Sequence, residues 1–517
     1  MTEFQPHVTA RTWIGFAFMC LGMFMAILDI QIVATSLPTI RAALHIGADQ
    51  MVWVQTAYLT AEIVAIPMTG YLTRLLGMRR LFVVAITMFT LASAGCAISH
   101  DFATLIAFRV LQGFAGGTLI PAVFSAVFLL FPQRSQGLAT TIAGLAAVFA
   151  PTIGPIVGGW LTQTYSWHWL FLVNIVPGIA AATGAAAMLP HSPVDRHALR
   201  TIDIVAVLLL AVALTALEIG LKDAPRFGWG SLRVAMPLAL FVVGGVVFVW
   251  RTLRSQHPIV ELRNFADRNF TIGCAFSFAL GVGLFGSTYL MPFFLGLVRG
   301  HGALEIGEIM LVTGIAQLVA APIAVALEQR VDARVLTGLG FAVFAVGMGM
   351  SVGQTKDTDF AQMLVPQILR GAAIMFCLLP PTRLALGNIQ ARMVADASGL
   401  FNLMRNLGGA IGLALIDTVI FSRSAGHARD IASSLRHGDV ATAMSIGIPR
   451  DAFLDQVGQP IGPEVEEMVR PLIAKAALVH AINDAWLMLA VLTAVSLLLI
   501  ALVRRGKQAD QHGSQRP

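Results

Sequence analysis

The feature that leaves this chain least freedom is a stretch from Leu138 to Leu161 that carries no charge and yet holds four glycines (Gly144, Gly154, Gly158, Gly159) and two prolines (Pro151, Pro155). A soluble helix does not survive that many breakers. A run of this length is long enough to cross a bilayer as a helix. There, neighbouring helices re-satisfy the backbone groups that proline and glycine free. Glycines four apart, as at Gly154 and Gly158, also strip one face of side chains, so a second helix can approach closely. Two readings follow. The stretch is a plain packing face, or it is a bending seam between two moving halves of a carrier, which the paired Gly-Pro and Gly-Gly elements favour.

Thirteen further apolar runs have spanning length, so the chain predicts fourteen crossings. They lie near 13–35, 51–72, 81–98, 103–125, 138–162, 169–189, 202–221, 234–250, 270–296, 303–326, 335–352, 361–380, 396–421 and 482–503. An even number puts both termini on one side. With the N-terminus inside, the inner segments hold nineteen Lys and Arg residues and the short outer loops six, and basic residues mark the cytoplasmic side. Both termini are therefore expected to be cytoplasmic. The connection 422–481 is too long for this rule. It is expected outside, polar, with an acidic run at Glu464, Glu466 and Glu467, either a solvated connector or a contact for a partner.

The expected domains are a six-helix bundle over 1–189, two additional helices and a basic linker over 190–269, a second six-helix bundle over 270–503 that includes the long external loop, and a tail over 504–517. Only 12% of residues are charged, about half the share of a soluble protein. The net charge of +6 is dispersed over short loops, which topology explains better than a nucleic-acid partner. Cys20, Cys96, Cys274 and Cys377 all fall in apolar runs without a Cys/His cluster, so neither a metal site nor a disulfide is expected. The polar opening MTEFQPHVTART has no signal-peptide pattern, and the first apolar run is expected to be a retained anchor. The sequence has no GxxxxGK[ST] loop, which argues against an ATP-driven pump.

Ionisable residues at membrane depth are functional hypotheses by default, because burying them is expensive. Asp29 sits six residues before the expected end of the first run, and Arg109 six residues into the fourth. At 1.5 Å per residue both lie roughly 9 Å from the outer surface, so a pair between them is geometrically possible. Burial favours a neutral carboxyl and a guanidinium favours an ionised one. A carboxylate whose partner comes and goes can thus take up and release a proton, whereas one whose partner stays forms a static tie. Glu62 lies in the second run with no charge nearby in sequence, suited to a proton, a cationic substrate or a polar neighbour. Arg370 and Arg405 require acidic or carbonyl partners, and structural anchoring is one reading of both. With Gln55, Tyr58, Gln317, Gln367, Asn402, Phe285 and Tyr289 they make up the residues expected to line a substrate cavity. Asn174, Phe276, Phe293 and Phe294 are further polar and aromatic candidates, and Asp203, Glu218 and Asp417 are weaker ones.

Several motifs stand in a fixed order. Leu28-Asp29-Ile-Gln-Ile-Val-Ala-Thr-Ser-Leu-Pro38 lies in the first run, and Gly70-Tyr-Leu-Thr-Arg74-Leu-Leu-Gly77-Met-Arg79-Arg80 between the second and third. Arg109-Val-Leu-Gln112-Gly113-Phe-Ala-Gly116-Gly117 follows in the fourth, and Gly154-Pro155-Ile-Val-Gly158-Gly159 in the fifth. Together they resemble the major facilitator superfamily, in its fourteen-span drug:proton antiporter branch of EmrB/QacA type and EmrB-like subtype. The second half is similar more loosely, through Pro258–Arg263 and Asn402–Gly412. The resemblance implies an all-α polytopic fold of two six-helix bundles plus two helices in a cell inner membrane. It also implies alternating-access export of amphipathic drugs or toxic compounds, driven by the proton gradient without a bound cofactor or enzymatic step. A physiological metabolite such as a fatty acid or siderophore is the other substrate class it allows. Asp29 and Arg109 carry over as the proton-coupling pair, to which Glu62 is added from its burial. Gly154, Pro155, Gly158 and Gly159, with Gln112 and Gly113, carry over as conformational elements, and Gly70, Arg74, Gly77, Arg79 and Arg80 as the cytoplasmic loop motif. A periplasmic adaptor and an outer-membrane channel are the implied partners. Many members carry an acid where this chain has Arg74, so a latch built on that acid is not expected here.

Overall fold

The computed structural model describes residues 9–191, 203–328, 330–387, 389–390, 393–454 and 463–503, and these contain helices and no strands. The membrane-scale helices are α1 (Ala10–Leu44), α2 (Ala48–Leu76), α3 (Met78–Ala97), α4 (Phe102–Leu130), α5 (Gln133–Thr164), α6 (Trp169–Met188), α7 (Ile204–Phe227) and α8 (Leu232–Arg254). They continue as α9 (Arg268–Phe294, extended by a π turn to Arg299), α10 (Ala303–Glu328), α11 (Ala333–Gly349), α12 (Phe360–Leu386) and α13 (Val394–Arg436). Two short helices, α14 (Val440–Ile446) and α15 (Arg450–Leu454), precede α16 (Pro463–Val495, with a 3-10 tail to Leu502). Eleven are long and apolar enough to cross a membrane, twelve if the bent α5 is one span. α11 is short at 17 residues, and α2 is diluted by Gln55, Thr56, Thr60 and Glu62.

Local chemistry sets the boundaries. Asp101, Asp203 and Asp267 cap α4, α7 and α9 by accepting from backbone N–H groups three residues on. Gly77, at φ 77°, joins α2 to α3 through a conformation that a side chain would strain. α5 bends by 43° between Pro151 and Ile153, where proline removes a helical hydrogen bond.

Helices α1–α6 pack around Met19, Met23, Phe82, Phe89 and Phe124. Helices α9–α13 and α16 pack around Phe276, Phe341, Phe344 and Trp486. The α7–α8 pair sits outside both. α8 exposes Leu232, Met236, Val243, Val246 and Trp250, an apolar face suited to lipid. α7 reaches both bundles: Lys222 donates to Thr56 of α2, and Leu217 and Leu221 pack with Ala414 of α13. Trp229, just after α7, donates to Thr418 of α13 at 3.1 Å.

The bundles touch near both ends of their interface. At one end, a Cβ on Gly70 of α2 would lie 2.4 Å from Asp396 of α13. At the other, a Cβ on Gly307 of α10 would lie 2.1 Å from Ile156 of α5. Between them, one on Gly144 of α5 would lie 2.7 Å from Leu378 of α12.

Two expectations are corrected. The first helix does not stop near residue 35 but runs to Leu44, capped by His45 in a left-handed conformation. The described residues of 422–481, expected to be a loop with room for short helices, belong mostly to continuations of the long helices α13 and α16, with α14 and α15 as the short ones. α13 alone has 43 residues, roughly 65 Å at helical rise against about 30 Å of hydrocarbon, so it projects well beyond a bilayer. Its outer part forms a small core with α14 and α16 through Ile431, Leu435, Ile446, Leu472 and Ala477. The side chains of Glu464, Glu466 and Glu467 and the tail 504–517 lie outside the described residues.

Candidate functional site

Asp29 of α1 and Arg109 of α4 are both fully buried. Arg109 Nη1 donates to Asp29 Oδ2 at 2.5 Å and to Gln112 Oε1 at 2.6 Å. Gln112 Nε2 donates to Asp29 Oδ1 at 2.9 Å and to Ser93 Oγ at 2.8 Å. Asn174 Nδ2 supplies a third donor to Asp29, at 2.8 Å. Arg109 Nε donates to the carbonyl of Val54 at 3.0 Å, and the guanidinium lies 4.3 Å from the centre of the Tyr58 ring. Charge-assisted hydrogen bonds of this kind offset the desolvation that a buried ion pair suffers.

Local sequence explains the geometry. Arg109 and Gln112 are three apart, on one face of α4. Gly113, Gly116 and Gly117 continue that face and let α2 in: a Cβ on Gly113 would lie 2.2 Å from the Tyr58 carbonyl oxygen, and one on Gly117 would lie 2.5 Å from that of Glu62. Asn174 stands at the break in α6 between Trp169–Leu172 and Ile175–Met188. The possible pairing of Asp29 with Arg109 was legible in sequence. Ser93 was not, and Asn174 was expected to line a cavity instead.

Glu62, one turn beyond Tyr58 on α2, is 5% exposed and makes no hydrogen bond or ion pair among the described residues. Gln55 is half-buried. Tyr58 does not line a cavity: its hydroxyl donates to the Ala26 carbonyl at 3.1 Å and its ring faces Arg109.

Pro151 stands at the bend of α5. Gly154 packs that helix on α1, where a Cβ would lie 2.4 Å from Gln31 Cβ. Ser36 of α1 bonds Thr162 Oγ1 at 2.6 Å, and Thr162 donates to the Gly158 carbonyl at 2.7 Å. Pro155 and Gly159 are buried beside them. The glycine strip thus faces α1, while the contact with the second bundle is made by Ile156 against Gly307 of α10.

The absent acid at position 74 does not leave the bundles untied. Arg74 Nη1 pairs with Asp396 in the first turn of α13, and Arg74 Nη2 donates to the Pro258 carbonyl at 3.1 Å. Asp396, absent from the sequence reading, supplies the acid from the other bundle. Arg79 instead contacts His191, at 2.7 Å, and Arg80 is exposed.

In the second bundle no acid among the described residues meets the buried arginines. Arg370 of α12 is 3% exposed; Nε donates to Pro366 O of its own helix at 3.3 Å, Nη2 reaches Met291 Sδ at 3.1 Å, and the guanidinium lies 4.6 Å from the Trp486 ring centre. Its Nη1 has no partner. Arg405 of α13 lies 5.5 Å from the Phe124 and Phe401 ring centres, with Nε and Nη2 unpartnered. Of the acidic or carbonyl partners expected, Arg370 has the carbonyl of Pro366, and the other neighbours are sulfur and rings.

Arg370 lines a cavity with Pro151 of α5, Leu284, Ser287, Thr288 and Met291 of α9, Met310 and Thr313 of α10, and Ile374. Other expected lining residues lie elsewhere. Phe285 packs under Gly409. Tyr289 points away to donate to Asp417 at 2.8 Å. Asn402 donates back to Ser398 O at 2.9 Å. Gln367 accepts from Thr313 at 3.1 Å, and the Nε2 atoms of Gln367 and Gln317 are buried without partners.

Two bundles, a covering helix pair and buried charges at their centre define a polytopic membrane carrier. The sequence model of the Major Facilitator Superfamily matches residues 19–413. The chain is 37% identical to the colistin resistance protein EmrB of Acinetobacter baumannii over 98% of its own length and 99% of that protein's. It is 30% identical to the multidrug export protein EmrB of Escherichia coli K12, over 84% of this chain and 85% of that one. It is also 30% identical to the fatty acid resistance protein FarB of Neisseria gonorrhoeae, over 81% and 82%. The fold is shared with the human organic anion transporter MFSD10 (TETRAN), with a TM-score of 0.60 at 12% identity over 95% of this chain and 99% of that one. The chain belongs to the Major Facilitator Superfamily, in its EmrB-like branch.

Proposed function

We propose that this protein is a proton-coupled antiporter that exports amphipathic toxic compounds across a cell inner membrane by alternating access. In this reading it makes fourteen crossings, with α2 and α11 counted, and both termini are cytoplasmic. The observation that carries the reading is the Asp29 carboxylate, which is fully buried yet held by three side chains from two other helices: Arg109 and Gln112 of α4, and Asn174 of α6. Rocking of the helices changes how many of those donors reach it, and so changes its preference for a proton. Glu62, without a partner on α2, is a second carboxyl that can take up a proton or meet a cationic substrate. The Arg74–Asp396 tie and the Gly307–Ile156 contact close the two ends of the interface, and alternating access requires that they open in turn. The outer helical extension of α13, α14 and α16 is the surface offered to a periplasmic adaptor, which would join the carrier to an outer-membrane channel.

The test is extrusion from a pump-deficient strain and from proteoliposomes with an imposed pH gradient. Wild type should extrude a panel of amphipathic compounds only while the gradient lasts. Asp29→Asn should abolish that extrusion. Extrusion by Asp29→Asn without a gradient, at the wild-type rate, would overturn the proposal. The physiological-metabolite reading keeps a place because FarB is a fatty acid resistance protein.

A further inference from the structure

We infer that Arg370 is the head-group anchor of a binding site for monoanionic amphiphiles, of which a carboxylate with an alkyl tail is the simplest member. The inference rests on the export reading above and names the substrate class of that carrier. A guanidinium is always charged and carries five N–H donors in a planar fork that matches a carboxylate. Taking one out of water is expensive unless an opposite charge and hydrogen bonds offset the loss. Around Arg370 that offset is incomplete. It makes no ion pair among the described residues, its acceptors are a carbonyl of its own helix and a thioether, and Nη1 is left over. The Trp486 ring beneath it contributes a π face, but the indole Nε1 is itself a buried donor without a partner. The surplus in this corner of the second bundle is therefore one positive charge and N–H groups, which an anion would satisfy.

Arg370, which carries the charge, borders open space. Among the described residues, Arg370 is the only charged one lining the cavity between α5, α9, α10 and α12. The remaining wall divides into hydroxyls (Ser287, Thr288, Thr313) and apolar side chains (Leu284, Ile374, Pro151, Met291, Met310). Methionines adapt to tails of different shape. The free space is about 40 Å³, on the order of three waters. It takes a carboxylate head and not a chain. The chain would enter as the Gly307–Ile156 and Gly144–Leu378 contacts between the bundles part. Because Pro151 sits at the bend of α5 and also forms the cavity wall, an occupant would press on the element that bends.

The test uses the full chain in phosphatidylcholine nanodiscs and measures equilibrium binding of labelled decanoate, decyltrimethylammonium and decanol. Wild type should bind decanoate saturably and more tightly than the other two. Arg370→Met should weaken decanoate binding by about tenfold or more, as loss of a charge-assisted contact implies, and leave decanol unchanged. Arg370→Lys should recover part of the affinity, which a misfolded protein would not do. Equal decanoate affinity in wild type and Arg370→Met overturns the site, as does tighter binding of the cation by wild type. Loss of decanoate binding when anionic phosphatidylglycerol is added would make a lipid head group the occupant and overturn the substrate assignment. The two readings fail separately. Asp29-dependent, gradient-driven extrusion of a cationic dye with Arg370-independent decanoate binding removes only the anion site. Arg370-dependent decanoate binding without gradient-driven transport of any compound removes the export reading on which the substrate role rests.

Discussion

The two bundles treat their buried arginines in opposite ways. In the first, Asp29 and Arg109 are matched acid to base and wrapped by Gln112, Asn174 and Ser93. In the second, Arg370 and Arg405 are buried to a similar degree with no carboxylate against them. The difference teaches where each bundle can act. A matched pair already has its counter-charge, so what it can do is exchange it. An unmatched charge destabilises the fold on its own account, so its partner has to come from outside the chain.

That contrast is open to attack through stability. Asp29→Asn leaves Arg109 buried without a counter-charge and should lower the stability of the purified protein by about 3–5 kcal/mol, seen as a large fall in Tm. Arg370→Met removes an unmatched charge and should hold Tm or raise it, while the molecule still folds. Similar losses of Tm in both variants would erase the distinction. A smaller effect sharpens the packing side. Gly117→Ala puts a Cβ 2.5 Å from the Glu62 carbonyl oxygen and should cost about 1–3 kcal/mol and slow transport by loosening Tyr58 over Arg109. Gly245→Ala on α8, where a Cβ meets nothing within 4 Å, should leave both unchanged or slightly improved.

The Arg74–Asp396 tie is weaker, because Arg74 is 36% exposed and solvent screens it. Arg74→Asp should loosen the bundles by about 1 kcal/mol, and adding Asp396→Arg should restore the wild-type distribution of α2–α13 distances between spin labels. Failure of the double swap would mean that the contact does not tie the bundles. The smallest effect lies at Asp359, the cap of α12, whose carboxyl the hydrogen bonds from Arg299 hold below its usual range. Its contribution is present above the ordinary carboxylate value and is lost as pH falls through the lowered one. Asp359→Ala should cost about half a kcal/mol at neutral pH, and the gap in Tm to wild type should narrow as pH drops below about 4.

The sequence by itself determined the helical membrane class and the places of its apolar runs. These are properties of windows of about twenty residues, where hydropathy and helical rise act locally. The two-bundle arrangement and the motif order were legible through the family resemblance. Contacts across the chain were not. Asp396 lies 322 positions from Arg74, and Ser93 and Asn174 are polar residues in apolar helices that nothing local marks as part of the Asp29 network. Asn174, Tyr58 and Tyr289 were grouped as cavity residues, and the fold turned each toward a different polar partner. Only the tertiary structure decided that Asp29 meets Arg109 while Arg370 meets no acid. A charge's environment in a bundle is set by which faces of other helices pack against it, and that is fixed by glycines opening particular helix pairs rather than by its own neighbours in sequence.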